Sequence, residues 1–189
     1  MARSADETRR KLFDASVAEF ATYGIAGARV DRITATAGVN NALLYRYFGS
    51  KSELFDTVFG TLAAELLEAV PFTLEDLPGY AGALVEYYAQ HPAVVRLAAW
   101  HRLEPGDRPL PEAVRKSQAD LIAMMEEAQS AGRLTTTYSA AALMNLILAI
   151  SFTQTGADAA ALHPKPYGGA TLAEHKRMVV AAVAAVLAS

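Results

Sequence analysis

Capping residues that favour helix starts and glycines that favour helix ends alternate along this chain, and the segments between them have the lengths of helices. Alanine makes up about a fifth of the sequence, and the alternation of apolar and polar residues that indicates strands is nearly absent. Three capping-box patterns predict helix starts at residues 4–7, 50–53 and 171–174, and glycines follow apolar segments at positions 24, 38, 49 and 132. The chain is therefore predicted to be all-α, with about nine helices.

The composition excludes several classes of site and of protein. The 189 residues are 52% apolar and include no cysteine, which excludes disulfides, thiolate zinc sites and cysteine nucleophiles. The N-terminal segment lacks the apolar core of a signal peptide, and the longest apolar runs, at 140–152 and 178–188, are shorter than the ~18 residues of a membrane helix. We expect a protein of the reducing cytoplasm with no membrane partner.

Positive charge is concentrated in the first third of the chain, although the net charge is −3. Residues 1–60 carry eight Lys and Arg against seven Asp and Glu, and the other residues carry nine against thirteen. Seven of these eight basic residues lie in three groups, at 9–11, 29–32 and 46–51. Binding of phosphate needs positive potential on one face rather than a basic average, so this distribution allows nucleic-acid binding.

Two predicted helices of about two turns, Val30–Ala37 and Asn41–Phe48, are separated by Gly38, which permits a sharp turn. Taken alone, the pair fits an ordinary α-hairpin, but it is also typical of a helix-turn-helix. In that motif the second helix, capped here by Asn40, lies in the major groove and its first residues contact base edges. An amide can pair with adenine, and a leucine can contact a thymine methyl group. The DNA contacts predicted from this motif are Asn40, Asn41, Leu43, Tyr45, Arg46, Tyr47 and Lys51.

The longer pattern that contains these helices resembles the TetR family of bacterial transcriptional repressors. The matching residues, spread over residues 5–60, are Phe20, Gly24, Ile33, Ala37, Gly38, Val39, Leu44, Tyr45, Phe48, Lys51 and Leu54. The resemblance implies a homodimer that binds double-stranded operator DNA and responds to a small-molecule effector. It also implies backbone contacts for Tyr45, Tyr47 and Lys51, and DNA contacts where the first short helix opens, at Arg29 and Val30.

Two parts of the motif depart from the family pattern. Arg29 stands where Thr or Ser is commoner, which removes a side-chain helix cap and adds a charge. The base-contacting stretch is usually small or contains glycine, whereas this chain has Asn40, Asn41, Ala42 and Leu43. We therefore expect base contacts that are specific to this protein.

The rest of the chain is predicted to form a larger helical body. Helices are expected at 79–91, 92–103, 112–131, 139–155 and 171–187, with loops at 104–111 and 156–170. The segments 91–104 and 131–134 resemble C-terminal domains of some members of the family. We expect residues 1–50 to bind DNA, and residues 51–189 to bind the effector and to dimerise.

Large and polar side chains stand out on the alanine- and leucine-rich helices of this body. A ligand pocket is mostly apolar with a few polar groups, and ordinary core packing is the alternative for each residue taken alone. Asn145 lies in an apolar segment expected to be buried, where an amide needs a partner. The predicted lining for a small, mostly apolar effector is Tyr87, Trp100, His101, Met124, Asn145 and Phe152, with Tyr80, Tyr88, Met125 and Gln154 as further candidates.

Apolar stripes on the last two long helices predict the dimer interface. Alanines beside the stripes allow helices of two subunits to pack closely as a four-helix bundle. The predicted interface residues are Leu143, Ile147, Ile150, Met178, Val179, Ala182 and Val186.

Residue patterns for catalysis or for metal binding are absent from the sequence. The histidines, at 91, 101, 163 and 175, form no i,i+4 pair, and there is no nucleophile elbow, phosphate-binding glycine loop or dinucleotide motif. We predict a DNA-binding repressor without metal, cofactor or enzymatic activity. Two alternatives stay open at this point: a regulator of the same fold without a small-molecule ligand, and a helical enzyme or carrier.

Overall fold

The computed structural model of the chain describes residues 2–103, 109–153 and 170–189. In these ranges the chain forms nine α-helices and no strand, which confirms the predicted all-α class. None of these helices is long and apolar enough to cross a membrane. The helices are α1 (Ala2–Gly27), α2 (Val30–Ala37), α3 (Asn41–Phe48), α4 (Lys51–Ala69), α5 (Leu77–Gln90), α6 (Pro92–Leu103), α7 (Glu112–Ser130), α8 (Ala140–Ser151) and α9 (Leu172–Leu187).

Side-chain caps fix the starts of α3, α4 and α9, as the sequence predicts. Asn40 Oδ1 accepts a hydrogen bond from the backbone N–H of Leu43 (3.0 Å). At the start of α4, the Ser50 N–H donates to Glu53 Oε2 (2.8 Å) and the Glu53 N–H donates to Ser50 Oγ (3.1 Å). The same reciprocal pair is present at residues 171–174. Each cap satisfies backbone donors that have no partner inside the helix.

Three helix ends differ from the prediction. Helix α1 begins at Ala2, so the capping pattern at 4–7 lies inside the helix rather than at its start. Helix α5 begins at Leu77 because Asp76 Oδ1 accepts from the Gly79 N–H (2.8 Å) and caps the helix earlier than expected. Helix α8 ends at Ser151, before its predicted end. Most of the loops predicted at 104–111 and 156–170 lies outside the described residues.

The first compact unit consists of Met1–Ala63 together with Ala93–Glu112. In its core the rings of Phe20 and Phe55 meet edge to face, with centroids 5.2 Å apart. The first half of α4 and most of α6 belong to this core, so the compact unit does not end at residue 50, where the sequence placed a domain boundary. The other fully buried core residues include Leu12, Ile33, Leu44, Leu54 and Leu97.

The second compact unit consists of Ala64–Pro92 together with Ala113–Ser189. Within it, α9 packs along α5 and α8, and α5 also packs on α8. The approach of α9 to α5 is close at Gly82, where a Cβ atom would lie 2.9 Å from Cγ2 of Val180. A larger residue at position 82 would therefore push the two helices apart.

Helix α1 is interrupted at Gly24, where φ is 66° and ψ is −175°. That ψ turns the next peptide out of the helical direction. Two donors of α6 bind the Ala21 carbonyl oxygen beside this break: Arg96 Nε at 2.6 Å and Trp100 Nε1 at 3.3 Å. The Trp100 ring also covers Gly24, since a Cβ atom there would lie 2.7 Å from the ring. The predicted helix stop at Gly24 is a break that α6 holds in place.

We expect Gly24→Ala to destabilise the protein more than Gly38→Ala. Both glycines have positive φ, 66° and 69°, a conformation that costs an L-residue about 1–2 kcal/mol. A Cβ atom at position 38 meets nothing within 4 Å, whereas one at position 24 overlaps Trp100, and the extended ψ of Gly24 adds strain. Urea unfolding of the two variants measures the difference in free energy, and equal losses would contradict the packing of Trp100 on Gly24.

Candidate nucleic-acid interface

Helices α2 and α3 form a helix-turn-helix around Gly38, as the sequence predicts. Gly38 has φ 69° and ψ 34°, a left-handed conformation that glycine adopts without strain. The Val39 N–H donates to the Thr34 carbonyl oxygen (3.0 Å) and closes the end of α2. The buried residues between the two helices are Ile33, Ala37 and Leu44.

A buried carboxylate, Glu19 of α1, fixes the start of α2. Glu19 is 8% exposed, and its Oε1 accepts from the Arg29 backbone N–H (2.8 Å) and from Arg32 Nε (2.8 Å). Arg32 also donates to the Gly27 carbonyl oxygen (2.9 Å), and its guanidinium lies 4.2 Å from the centre of the Tyr23 ring. Burial raises the pKa of Glu19, but the hydrogen bonds from Arg32 and Arg29 outweigh it and leave that pKa below its ordinary value.

The residues predicted to contact DNA surround these helices with different degrees of exposure. The half-buried ones are Val30, Leu43, Tyr47 and Lys51. The exposed ones are Arg29, Asn40, Asn41, Tyr45 and Arg46.

Two of the predicted phosphate-binding cations already interact with other groups of the protein. Lys51 Nζ donates to the Ala28 carbonyl oxygen (3.1 Å) and lies 3.5 Å from that of Ala26. Arg29 Nη2 lies 3.8 Å from Asp31 Oδ2. The structure therefore gives Lys51 a role that the sequence did not predict, because its ammonium group holds the connection between α1 and α2.

Helix α3 carries exposed polar groups. Tyr45 is 49% exposed, and Arg46 is exposed with no ion-pair partner in the described ranges. At the end of the helix, the Arg9 guanidinium lies 5.9 Å from the centre of the Phe48 ring. A phenol and guanidinium groups on or beside one short helix can contact both phosphates and base edges.

Asn41 connects α3 to α2 through both ends of its amide. Its Oδ1 accepts from Thr34 Oγ1 (2.6 Å), and its Nδ2 donates to Asp31 Oδ1 (2.6 Å). The sequence analysis identified Asn41 but neither of its partners. Seven and ten residues separate Asn41 from these partners, and the contacts depend on the turn between the helices rather than on a helical period.

The role of Glu19 is not among the predictions from the sequence, although the position of this residue carries a signal for it. Glu19 lies on the buried face of α1 that also carries Leu12, Ser16 and Phe20. A charged residue on a buried helix face needs a partner of opposite charge, and that requirement alone predicts a role in fixing a neighbouring element.

Comparison with known proteins shows the family of this chain. Residues 12–58 match the family described as bacterial regulatory proteins, tetR family, and residues 76–184 match the tetracyclin repressor-like C-terminal domain. The HTH-type transcriptional repressor SCO4008 of Streptomyces coelicolor is 38% identical over 152 residues, which cover 79% of this chain and 79% of that protein. The chain belongs to the TetR family. It is a DNA-binding transcriptional regulator.

Solved structures of TetR-like proteins share the fold over nearly the whole chain. The crystal structure of SCO4942 from Streptomyces coelicolor aligns with a TM-score of 0.81 and 32% identity, covering 95% of this chain and 97% of that one. FadR from Bacillus subtilis, in complex with stearoyl-CoA, aligns with a TM-score of 0.68 and covers 93% and 97%. Its identity is 13%, so that likeness concerns the fold alone.

Two of the residues predicted to line an effector pocket in this TetR-family chain belong to the first compact unit. Trp100 covers Gly24. The ring of His101 lies 5.3 Å from that of Phe59, and its Nε2 donates to the Pro109 carbonyl oxygen (3.3 Å). Both side chains pack and form hydrogen bonds within the unit that contains the helix-turn-helix. The sequence did not predict these contacts, and the pocket role of both residues stays a prediction.

Tyr87 and Phe152 lie in the second unit, each against another ring. Tyr87 stacks on His91 with ring centroids 4.2 Å apart, and Phe152 stacks on Tyr88 at 4.6 Å. Burial raises the pKa of Tyr87, and the nearby charge of Glu65 adds to this effect. Of the predicted pocket lining, Tyr87 and Phe152 are therefore the residues that stack on another ring within the second unit.

Asn145 and Met124 are exposed in the described chain. Within the chain the amide of Asn145 is not buried, because only one side of α8 packs against the core of its unit, through Leu143, Met144 and Ile147. Of the further candidates, Tyr80, Tyr88 and Met125 are buried. Gln154 lies outside the described residues.

The outer sides of α8 and α9 present small residues to solvent. We call this surface the alanine face, and it comprises Ala141, Ala142, Asn145, Ala149, Met178, Ala181, Ala182 and Ala185. Of the predicted interface residues, Met178 and Ala182 belong to it, and Ile150 and Val186 are half-buried. The prediction is corrected for Leu143, Ile147 and Val179, which are buried in the core of their own chain.

The histidines serve separate local roles where the structure describes them. His91 and His101 each stack on an aromatic ring. His175 is buried on α9, where burial lowers its pKa and a hydrogen bond with the Thr153 backbone opposes that shift. His163 lies outside the described residues. No group of three or more potential ligands in the described part of the chain could hold a metal ion.

We expect Glu19→Gln to lower the free energy of unfolding by about 1–3 kcal/mol at pH 7, because it removes a charged acceptor that α2 requires. The folded-state pKa of Glu19 is lowered, so this stabilisation is present above the unfolded-state pKa of about 4.3 and is lost as the pH falls through the folded-state pKa. Urea unfolding of both proteins at pH 7 and at acid pH measures the difference.

The matched control for this prediction is Glu7→Gln, on the same helix. The pKa of Glu7 is also lowered, by the hydrogen bond and charge of Lys11, but its side chain is exposed and salt and solvent screen the pair. We expect little change in stability for this variant at any pH. A loss for Glu19→Gln that did not shrink in acid would contradict the role of the charge.

Proposed function

We propose that a homodimer of this chain represses transcription by binding an inverted-repeat operator, and that a small, mostly apolar effector releases it. The observation that carries the DNA-binding part is the set of exposed groups on α3, Asn41, Tyr45 and Arg46, on a helix-turn-helix held by Glu19. Bacterial DNA lies in the cytoplasm, so we place this activity there.

Docking of α3 into the major groove follows from its length and position in the motif. A helix of two turns contacts only a few base pairs, so a specific site requires a second copy of the helix. In a two-fold dimer the two copies of α3 contact half-sites about 34 Å apart, one turn of the duplex. Phosphate contacts set the register on the duplex, and base-edge contacts provide the sequence preference.

We expect Arg46→Ala to weaken DNA binding and to reduce its salt dependence, because Arg46 is the exposed cation of α3. The slope of log K against log salt should fall by about 1 for each lost phosphate contact of a subunit. Fluorescence anisotropy with a duplex selected by the wild-type protein measures both quantities. The control is Arg133→Ala, which removes an exposed cation from the second unit. Equal slopes for Arg46→Ala and the wild type would contradict the proposed docking.

The alanine face supports the choice of α8 and α9 as the dimer interface. Its members on each helix are adjacent or three or four residues apart, so they form one continuous stripe per helix. Small side chains let two helices approach closely, and Met178, which is 59% exposed, offers a flexible apolar group to the partner. Two such helices from each subunit form a four-helix bundle.

We expect Ala182→Arg to produce monomers that no longer bind the operator tightly. The substitution places a charge without a partner in the proposed interface, where burial would cost several kcal/mol. Sedimentation velocity measures the oligomeric state, and anisotropy measures the DNA affinity. The control is Ala18→Arg, at an exposed alanine of α1. A dimer of Ala182→Arg with the stability of the wild-type dimer would show that the interface lies elsewhere.

An apolar effector is supported by the interior of the second unit. Tyr88 and Phe152 stack there, and burial lowers the pKa of His175, which favours its neutral form. The fold can accommodate a ligand with a long apolar chain, since FadR is solved in complex with stearoyl-CoA. Helix α4 is continuous from Lys51 to Ala69 and contributes residues to both compact units. We propose that α4 transmits the response, with a coupling of about 1–3 kcal/mol.

We expect an apolar compound that raises the melting temperature to weaken operator binding by about five- to 150-fold. The screen uses acyl-CoA esters of several chain lengths and neutral aromatic compounds, and Phe152→Ala is the test variant. By linkage, operator DNA should weaken binding of the same compound by the same factor. If no compound changes the operator affinity, the alternative of a regulator without a small-molecule ligand is favoured.

A further inference from the structure

The amide of Asn41 has a fixed orientation between two side chains of α2. Asp31 Oδ1 lies 2.6 Å from Asn41 Nδ2, and a carboxylate oxygen can only accept a hydrogen bond. The reversed amide would place two oxygens at that distance, one of them charged. Asp31 therefore determines that the nitrogen of the amide faces the carboxylate and that the oxygen faces the other way.

The Thr34 hydroxyl completes this arrangement. Thr34 Oγ1 lies 2.6 Å from Asn41 Oδ1, and it is also within reach of the Val30 carbonyl oxygen at 3.0 Å. A hydroxyl has one proton, and two oxygens 2.6 Å apart need that proton between them. Thr34 is 3% exposed, so its hydroxyl is held inside the protein and water does not compete for this hydrogen bond.

Two hydrogen-bonding positions of Asn41 stay available after these contacts. An amide has two N–H groups and two oxygen lone pairs, and the protein uses one of each. The other N–H and the other lone pair are one donor and one acceptor, the two kinds of group with which an amide binds adenine at its N7 atom and N6 amino group. An amide of fixed orientation presents them in one order only.

We propose that Asp31 is a positioning residue that determines base specificity by fixing Asn41 as a contact for adenine. The inference rests on the proposed operator binding and adds to it the residue that sets one base preference. Asp31 places a negative charge beside Arg29, at 3.8 Å, in a protein surface that approaches phosphates. Its charge opposes DNA binding in general, so Asp31 raises specificity at the expense of non-specific affinity.

Because Asp31 raises specificity but opposes non-specific binding, Asp31→Asn should have an effect that replacing a purely structural residue would not have. The variant keeps the size of the side chain, but its amide can face Asn41 with either end, so it no longer fixes the orientation of Asn41. We expect affinity for a random-sequence duplex to be unchanged or higher, and the preference for adenine at one position to fall at least about fivefold. If Asp31 had a structural role alone, its replacement would lower the affinity for the operator and for the random-sequence duplex, together with the melting temperature.

The experiment selects bound duplexes from a randomised double-stranded DNA library with each full-length protein and compares the base frequencies. Asn41→Ala identifies the position that Asn41 contacts, as the position that loses its preference for adenine. Asp31→Asn and Thr34→Val should lose preference at that same position and keep the others. The control is Asp14→Asn, which removes an exposed carboxylate from α1 of the same compact unit and should leave every preference intact.

Each outcome bears on the proposal in a defined way. If the wild-type protein selects no sequence, operator binding itself is wrong and this inference fails with it. If the wild type selects a sequence but Asp31→Asn keeps the adenine preference, or Asn41→Ala loses none, the inference alone is wrong. Melting temperatures within a few degrees of the wild type establish that the variants are folded. Thr34→Ser retains the hydroxyl, so it should keep the adenine preference that Thr34→Val loses.

Discussion

The buried carboxylate of Glu19 is the interaction on which the geometry of the DNA-binding part depends. Removing a carboxylate from water costs several kcal/mol unless cations and N–H groups surround it. Oε1 meets that requirement with the Arg29 backbone and the Arg32 side chain, so α2 has to begin where these donors converge. The turn at Gly38 then places α3, and Asp31 orients Asn41 on it. One charge on α1 thus fixes the elements that approach DNA.

The sequence was sufficient for those features that depend on nearby residues. Helix starts at Asn40 and Ser50 follow from side chains that bond to backbone groups three residues on, and the turn at Gly38 follows from a single φ angle. The helix-turn-helix follows from local patterns of this kind, and the resemblance over residues 5–60 indicates the TetR family, which the comparisons confirm. Local bonds of this kind keep the same geometry in any fold, which is why a pattern of residue types predicts them.

The sequence was insufficient where a role depends on packing between distant segments. The sequence does not predict that α6 folds back onto α1 and α4, where Trp100 binds the Ala21 carbonyl oxygen and the ring of His101 packs near that of Phe59. The apolar pattern around Asn145 predicts burial on all sides, whereas α8 buries one side against its own chain and exposes the other. Hydropathy indicates that an apolar surface of a helix is buried against another surface. It does not distinguish cover by the same chain from cover by a second copy.

The return of Ala93–Glu112 to the first compact unit limits how this regulator can be recombined. A fragment ending after α4 would lack Leu97, expose the apolar surface it covers, and leave the Ala21 carbonyl without its two donors from α6. The helix-turn-helix therefore cannot be moved to another protein without α6. A hybrid regulator has to inherit α6 from the same parent as α1, even when α5, which belongs to the second compact unit, comes from another.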